Sequence, residues 1–192
     1  SFDGARIAYS AGHLGDTLYE RDASGGGDAR VLFSKPGLRH FPTSWSSDGR
    51  FLLYHTENAP QTGYDLWALS LRDGKPHLML GEAFNEWAGV FSPDMRWVAY
   101  VSLEAGSAAV YVRPFRVSGQ TGQPSLGEGK LHVSKGNWPQ WRIAREIVFS
   151  TAPGGTEVFA APVNKTGTDF ESGTRQRLPF PPSTGVTTTP QS

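Results

Sequence analysis

Short apolar runs separated by polar turns fill the chain, and one such pattern recurs. An Asp-Gly pair followed by an apolar run at Asp3–Ser10 returns at Asp48–His55 and, with Met95 in place of Gly, at Asp94–Val101. These copies begin 45 and 46 residues apart, and a degenerate copy without the Asp-Gly pair lies at Ala144–Ser150. The sequence therefore contains a fourfold repeat with a period of about 45 residues.

Each repeat predicts four short strands. Asp-Gly between two apolar runs indicates a hairpin, because a tight turn needs a positive φ that Gly adopts without penalty. An aromatic and a polar residue end the strand before the turn, as in Phe91-Ser92, and two further apolar runs follow it, as in Asp65–Leu69 and His77–Leu80. These runs are rich in Val, Leu, Phe, Tyr and Trp and are bounded by Gly, Pro, Ser and Asp, which is typical of strands.

Four strands at this period match the blade of a β-propeller. A blade cannot bury both of its faces alone, so neighbouring blades must stack, with the aromatic side chains filling the space between them. We predict an all-β propeller of four-stranded antiparallel blades, about four of them, in a single partial domain over residues 1–192. The expected blade boundaries are 1–37, 38–83, 84–135 and 136–182. Because the Asp-Gly turn joins the innermost strand to the second, the first blade is expected to lack most of its inner strand, and residues 183–192 to begin a further one.

Composition narrows the choice of function. The 23 Gly and 14 Pro indicate frequent turns, and 18 Lys and Arg balance 18 Asp and Glu. Because the net charge is zero, the chain has no excess of basic residues of the kind expected in a nucleic-acid binder or a polybasic membrane binder. No apolar run approaches the roughly 18 residues of a membrane span. Without Cys there is no disulfide, thiolate nucleophile or Cys-ligated zinc.

The third repeat also carries a family resemblance. Phe91-Ser92-Pro93-Asp94, the string Val110–Phe115 and Pro139-Gln140-Trp141-Arg142 resemble the TolB-like, WD-like propeller repeat. They are most similar to the C-terminal propeller of bacterial membrane-anchored serine/threonine protein kinases, a likeness that covers residues 1–180. Met95 departs from the Gly usual in that family.

The resemblance implies a larger ring of six or seven blades and an extracytoplasmic location, on the periplasmic or cell-surface side. Any kinase activity would belong to a separate domain, because this sequence has no kinase motif. An open ring exposes sheet edges. Either the C-terminal strand supplies the inner strand that the first blade lacks, or chains associate with each other through exposed blade edges.

Residues that could support catalysis are few. The five His show no spacing typical of metal ligands, and no Gly-x-Ser-x-Gly elbow occurs. We predict no enzyme activity, no metal and no cofactor for this chain.

The segments before the inner strands are the best candidates for a site, because in a propeller they converge at the mouth of the central channel. Aromatic faces beside polar groups suit a protein, a peptide or a small sugar-like ligand. Alternatively, the three aromatic residues are wedges packed between blades, which leaves the polar ones as the better candidates. The candidate ligand-binding residues are His40, Phe41, Asn85, Glu86, Trp87, Asn137 and Trp138.

Three functions remain open at this point. The preferred one is a non-catalytic binding or sensory module, in particular the sensor domain of a receptor-type protein kinase. The second is the gating propeller of a prolyl-oligopeptidase-type serine peptidase, whose catalytic serine would lie in another domain. The third is a free periplasmic TolB-like scaffold that binds other proteins.

Overall fold

The computed structural model describes residues 1–151, 157–166 and 169–179. Within these ranges the chain forms four antiparallel sheets. The first sheet has three strands, β1 (Arg6–Ala11), β2 (Thr17–Asp22) and β3 (Arg30–Ser34). The second has four, β4 (Arg39–Trp45), β5 (Phe51–Ala59), β6 (Gly63–Ser70) and β7 (Pro76–Leu80). Three strands in the first sheet agree with the position of Asp3-Gly4 in the repeat.

The other two sheets have five strands each. The third comprises β8 (Glu86–Phe91), β9 (Trp97–Ser102), β10 (Ala109–Val117), β11 (Pro124–Leu126) and β12 (Leu131–Lys135). The fourth comprises β13 (Asn137–Trp141), β14 (Glu146–Ser150), β15 (Val158–Thr166), β16 (Asp169–Ser172) and β17 (Gln176–Arg177). In both sheets the third strand is long and pairs on its outer edge with two short strands in succession. The single outer strand predicted for each of these blades is therefore divided in two.

The predicted hairpin turns are confirmed, and hydrogen bonds of a serine side chain stabilise both of them. In the second sheet, the Ser46 hydroxyl accepts a hydrogen bond from the Phe51 amide at 2.8 Å and donates to the Asp48 carboxylate at 2.7 Å. In the third, Ser92 does the same with Trp97 and Asp94, at 3.0 and 2.6 Å. These hydrogen bonds to the serine side chains satisfy backbone amides at a tight turn.

Met95 occupies the turn position at which the other copies have glycine. Its φ is +58°, beside +70° for Gly49 and +72° for Gly4. A non-glycine residue in this region carries strain. The Met95 side chain packs against the core between the second and third sheets, and that contact offsets the strain.

Alternating side chains of each sheet face opposite neighbours. Leu52 packs in the cluster shared with the first sheet, whereas the adjacent Leu53 packs in the cluster shared with the third. Ala99 joins a cluster with the fourth sheet, and the adjacent Tyr100 faces the second. Three apolar seams thus hold four stacked sheets together, which is the architecture of consecutive blades in a partial β-propeller.

Among the described residues, no helix is long and apolar enough to span a membrane. The strand predicted at 183–192 lies outside the described residues. So does Phe180, at which the outermost strand of the fourth predicted blade was expected to end.

Candidate functional site

The first strands of the second, third and fourth sheets run side by side, which brings the predicted site segments near one another. The Thr43 hydroxyl of β4 donates to the Gly89 carbonyl of β8 at 2.6 Å, and the Phe91 amide donates to the Ser44 hydroxyl at 3.2 Å. The Trp141 indole of β13 donates to the Val90 carbonyl at 3.3 Å. The three inner strands therefore form one continuous wall.

Each inner strand carries a bulge near its start. The pairing register shifts between Pro42 and Ser44, between Trp87 and Val90, and between Asn137 and Gln140. At the shift, Ala88 of β8 and Trp138 of β13 have φ values of +53° and +52°. Bulges redirect side chains and raise local twist, so they determine which side chains of the wall face solvent.

Asn137 links the third and fourth sheets. Its side-chain oxygen accepts a hydrogen bond from the Trp87 indole at 2.9 Å and another from the Trp138 amide at 3.0 Å. Trp87 is half-buried, and the hydrogen bond to Asn137 fixes the position of its indole ring. Trp138, in contrast, is 58% exposed.

An aromatic row continues from Trp87 into the seam between the second and third sheets. Phe41 stacks on His55 at a centroid distance of 5.0 Å with an interplanar angle of 12°. His55 lies 6.1 Å from Tyr64, which meets Trp87 edge to face at 6.2 Å. The Arg39 guanidinium lies over the Phe41 ring, 5.0 Å from its centroid. Phe41 therefore packs against both His55 and Arg39.

Asn85 and Glu86 lie at the same end of this seam but differ in environment. The Asn85 side-chain oxygen accepts a hydrogen bond from the Tyr64 amide at 3.1 Å. Glu86 is only 2% exposed, and its Oε2 has no hydrogen-bond partner among the described residues. Burial, reinforced by the carboxylates of Glu82, Asp65 and Glu104, raises the pKa of Glu86 to about 7, while the Glu82 backbone acts in the opposite direction. Glu86 can therefore carry a proton near neutral pH.

His40 lies apart from the other candidates, in the seam between the first and second sheets. It is 1% exposed and packs against Phe33 at 5.4 Å and Tyr54 at 5.5 Å between centroids. The structure thus gathers Phe41, Asn85, Glu86, Trp87, Asn137 and Trp138 along one wall and leaves His40 on the far face of the second sheet. Whether any of them binds a ligand stays a prediction.

Sequence reasoning missed Tyr64 and His55, which complete the aromatic row. A usable signal exists for His55, because it interrupts the apolar run of β5 and is buried with its Nδ1 unpartnered in the described part of the chain. Tyr64 follows a loop, and only the three-dimensional pairing brings it to Trp87. No group of three or more potential metal ligands occurs among residues 1–151, 157–166 and 169–179.

Comparisons with known proteins identify the fold. No protein-family model and no curated protein sequence matches the chain. Among solved structures, the putative TolB of Agrobacterium tumefaciens is 18% identical with a TM-score of 0.60, over 91% of this chain and 63% of that one. TolB of Acinetobacter baumannii is 19% identical with a TM-score of 0.56, over 89% and 41%.

A protease domain is also similar. The β-propeller domain of the Trilobed protease from Pyrococcus furiosus is 14% identical with a TM-score of 0.54, over 91% of this chain and 54% of that one. The chain spans less than two thirds of the length of each of these three structures. At these identities the likeness establishes the fold: the chain is a β-propeller of the architecture seen in TolB.

Proposed function

We propose that this chain is a non-catalytic binding module that presents a peptide-binding surface at the mouth of the propeller channel, centred on Trp138. The observation that carries the proposal is the exposure of that indole. Large aromatic side chains are usually mostly buried. Trp138 is 58% exposed on a backbone with φ of +52°. Strain of this kind persists where the surroundings impose it and concentrates at functional sites.

The surroundings favour a peptide over a sugar. A sugar requires several free polar groups beside the aromatic platform, but Asn137 already binds Trp87 and the Trp138 amide. Glu86 is buried, and the side-chain oxygen of Asn85 already accepts a hydrogen bond from the Tyr64 amide. An exposed indole with few free polar neighbours suits an apolar or aromatic side chain of a partner protein.

The test is a selection of phage-displayed random peptides on the wild-type chain, with Trp138→Ala as the comparison. We expect selected peptides to lose at least tenfold in affinity on Trp138→Ala, while its thermal midpoint moves by less than about 3 °C, since each 1 kcal/mol shifts a chain of this size by roughly 2–4 °C. Ile143→Ala is the matched control, because Ile143 is 69% exposed at φ of +53° but follows the opposite end of β13.

Three results would contradict the proposal. Peptides that bind Trp138→Ala as well as the wild type would place the site elsewhere. A large loss of thermal stability would show that Trp138 is a wedge after all. Binding to a carbohydrate array without selection of any peptide would replace the peptide with a sugar.

For the whole protein, the resemblance of Val110–Phe115 and Pro139–Arg142 supports the sensor domain of a receptor-type kinase on the extracytoplasmic side. The Trilobed protease propeller supports the alternative of a gating domain for a serine peptidase. The TolB structures support a free scaffold that binds proteins. The domains encoded beside this segment in its gene discriminate among the three: a kinase and membrane span upstream, a hydrolase domain downstream, or neither.

A further inference from the structure

A small cavity lies in the seam between the first and second sheets, away from Trp138. Aromatic rings of Phe33, Tyr54 and Trp67 line it, together with His40, Thr56 and Lys35. Its volume is about 30 Å³, which exceeds the roughly 10–15 Å³ that one water molecule requires. Lys35 is exposed, so the cavity reaches the surface on that side.

Buried polar atoms without partners line this cavity. His40 and Thr56 are 1% and 2% exposed. One ring nitrogen of His40 hydrogen-bonds the Lys35 backbone carbonyl. The other ring nitrogen, the Thr56 hydroxyl and the Trp67 indole nitrogen have no hydrogen-bond partner among the described residues. More than nine in ten buried polar groups in proteins are satisfied, and an unsatisfied one costs free energy. Several of them around a single cavity indicate a bound polar group.

The pairing register explains why these atoms meet. Thr56 of β5 lies opposite His40 of β4 and opposite Asp65 of β6, so the three side chains form a row on one face of the second sheet. The third sheet has Glu86, Ser102 and Ala109 in the corresponding row. The corresponding row of the third sheet therefore lacks the combination of imidazole, hydroxyl and carboxylate.

The lining specifies the chemistry of an occupant. Burial lowers the pKa of His40, although the Lys35 backbone carbonyl and the Asp16 carboxylate oppose the effect. A neutral imidazole offers one donor and one acceptor, the hydroxyl offers both, and the indole only donates. Asp65 pairs with Thr56 behind the lining, is 7% exposed with its Oδ1 unpartnered among the described residues, and disfavours an anion. The Lys35 ammonium at the surface disfavours a cation.

We propose that this cavity binds a small neutral carboxamide. Its planar group lies against the aromatic rings that line the cavity. Its carbonyl oxygen accepts a hydrogen bond from Trp67, and its amino group donates to Thr56 and to the unprotonated ring nitrogen of His40. The site is independent of the peptide surface at Trp138, because it lies in another seam and shares no lining residue with it.

The experiment is a titration of the ¹⁵N-labelled chain with acetamide, followed through the indole signals of its six tryptophans and assigned with Trp67→Phe. The four non-hydrogen atoms of acetamide allow a dissociation constant no tighter than about 0.05 mM, so the titration extends into the millimolar range. We expect a saturable shift of the Trp67 signal. The Trp87 and Trp138 signals should stay unchanged, as should all signals when acetate, the anionic isostere, is added.

A pair of matched variants tests the hydroxyl. Thr56→Val should weaken acetamide binding about threefold to tenfold, the effect of one lost hydrogen bond, whereas Thr56→Ser should keep it. Equal responses to acetamide and acetate, or a Thr56→Val variant that binds as well as Thr56→Ser, would overturn the proposal. So would a magnetisation transfer from water to the Trp67 indole with no response to acetamide, because the cavity would then be only hydrated. If Thr56→Val does not fold, the comparison of acetamide with acetate on the wild type still decides.

Discussion

Replacing the buried carboxyl group of Glu86 by an amide should remove a loss of stability that occurs as pH rises. Glu86 is 2% exposed, its pKa in the folded chain is about 7, and its ordinary value is 4.5. Between these two values the folded chain keeps the proton and the unfolded chain releases it. At this group the folded state therefore binds more protons, and the contribution of Glu86 to the free energy of unfolding must fall as pH rises through this range.

The size of the loss follows from the two pKa values. A displacement from 4.5 to about 7 corresponds to about 3 kcal/mol of stability, fully present below pH 4.5 and lost once pH exceeds 7. Glu86→Gln keeps the shape of the protonated side chain and carries no charge. We therefore expect it to match the wild type near pH 4 and to exceed it by about 2–3 kcal/mol at pH 8.

The assay is urea unfolding of both proteins at a series of pH values, with the difference in free energy of unfolding plotted against pH. Taking the difference cancels the other titrating groups, which both proteins share. Glu128→Gln, an exposed substitution on the loop between β11 and β12, is the control and should give a flat difference. Parallel curves for wild type and Glu86→Gln across pH 4 to 8 would refute the reasoning, because Glu86 would then ionise in the folded chain as readily as in the unfolded one.

Three further outcomes can be measured by the same unfolding method. Ser92→Ala should lose about 1–3 kcal/mol, because it strands the buried Trp97 amide, whereas Ser47→Ala in the equivalent turn should change little. Burial lowers the pKa of His55 from 6.5 to about 4, so the contribution of His55 to stability is lost as pH falls from 6.5 to 4. The free energy of unfolding of His55→Phe, taken relative to the wild type, should therefore rise over this range, and a constant difference would contradict burial as the cause. Gly49→Ala should cost about 1 kcal/mol, because φ there is +70°.

The parts of the fold that the sequence predicts are those determined locally. Asp48-Gly49 and Asp94-Met95 produce hairpins because the turn is encoded by adjacent residues, and the apolar runs around them become strands of the expected sheets. The division of the outer strand into β11 and β12 was not foreseen. The Gly127 amide still donates to the Pro114 carbonyl at 2.8 Å, and the pairing with β10 resumes only at Leu131. Nothing in the short segment Pro124–Leu126 distinguishes it from a loop.

The burial of polar side chains at the candidate site could likewise not be predicted from the sequence. His40 and Glu86 occupy the same position in their repeats, and both polar side chains suggested an accessible surface. Each instead points into a seam, because the residue at this position of an inner strand faces the preceding sheet. The polarity of a side chain does not reveal this; the twist and stacking of the blades determine it.

The register of the inner strands explains why Trp138 differs from the aromatic residues that resemble it in sequence. Asn85-Glu86-Trp87 and Asn137-Trp138 look equivalent when the asparagines are aligned. The aromatic residues before the turns give another alignment, in which Trp87 lies four residues before Phe91 and Asn137 four before Trp141. Both positions adjoin a register shift, and both are followed by a residue with positive φ.

Trp138 is therefore the structural counterpart of Ala88. The same left-handed position carries a buried methyl group in the third sheet and an exposed indole in the fourth. A wedge required by blade stacking should recur from blade to blade at the equivalent position, and this one does not. The requirements of the repeat thus do not explain the exposed indole. This difference distinguishes Trp138 from Phe41 and Trp87, and it is the reason why the proposed binding surface is centred on Trp138.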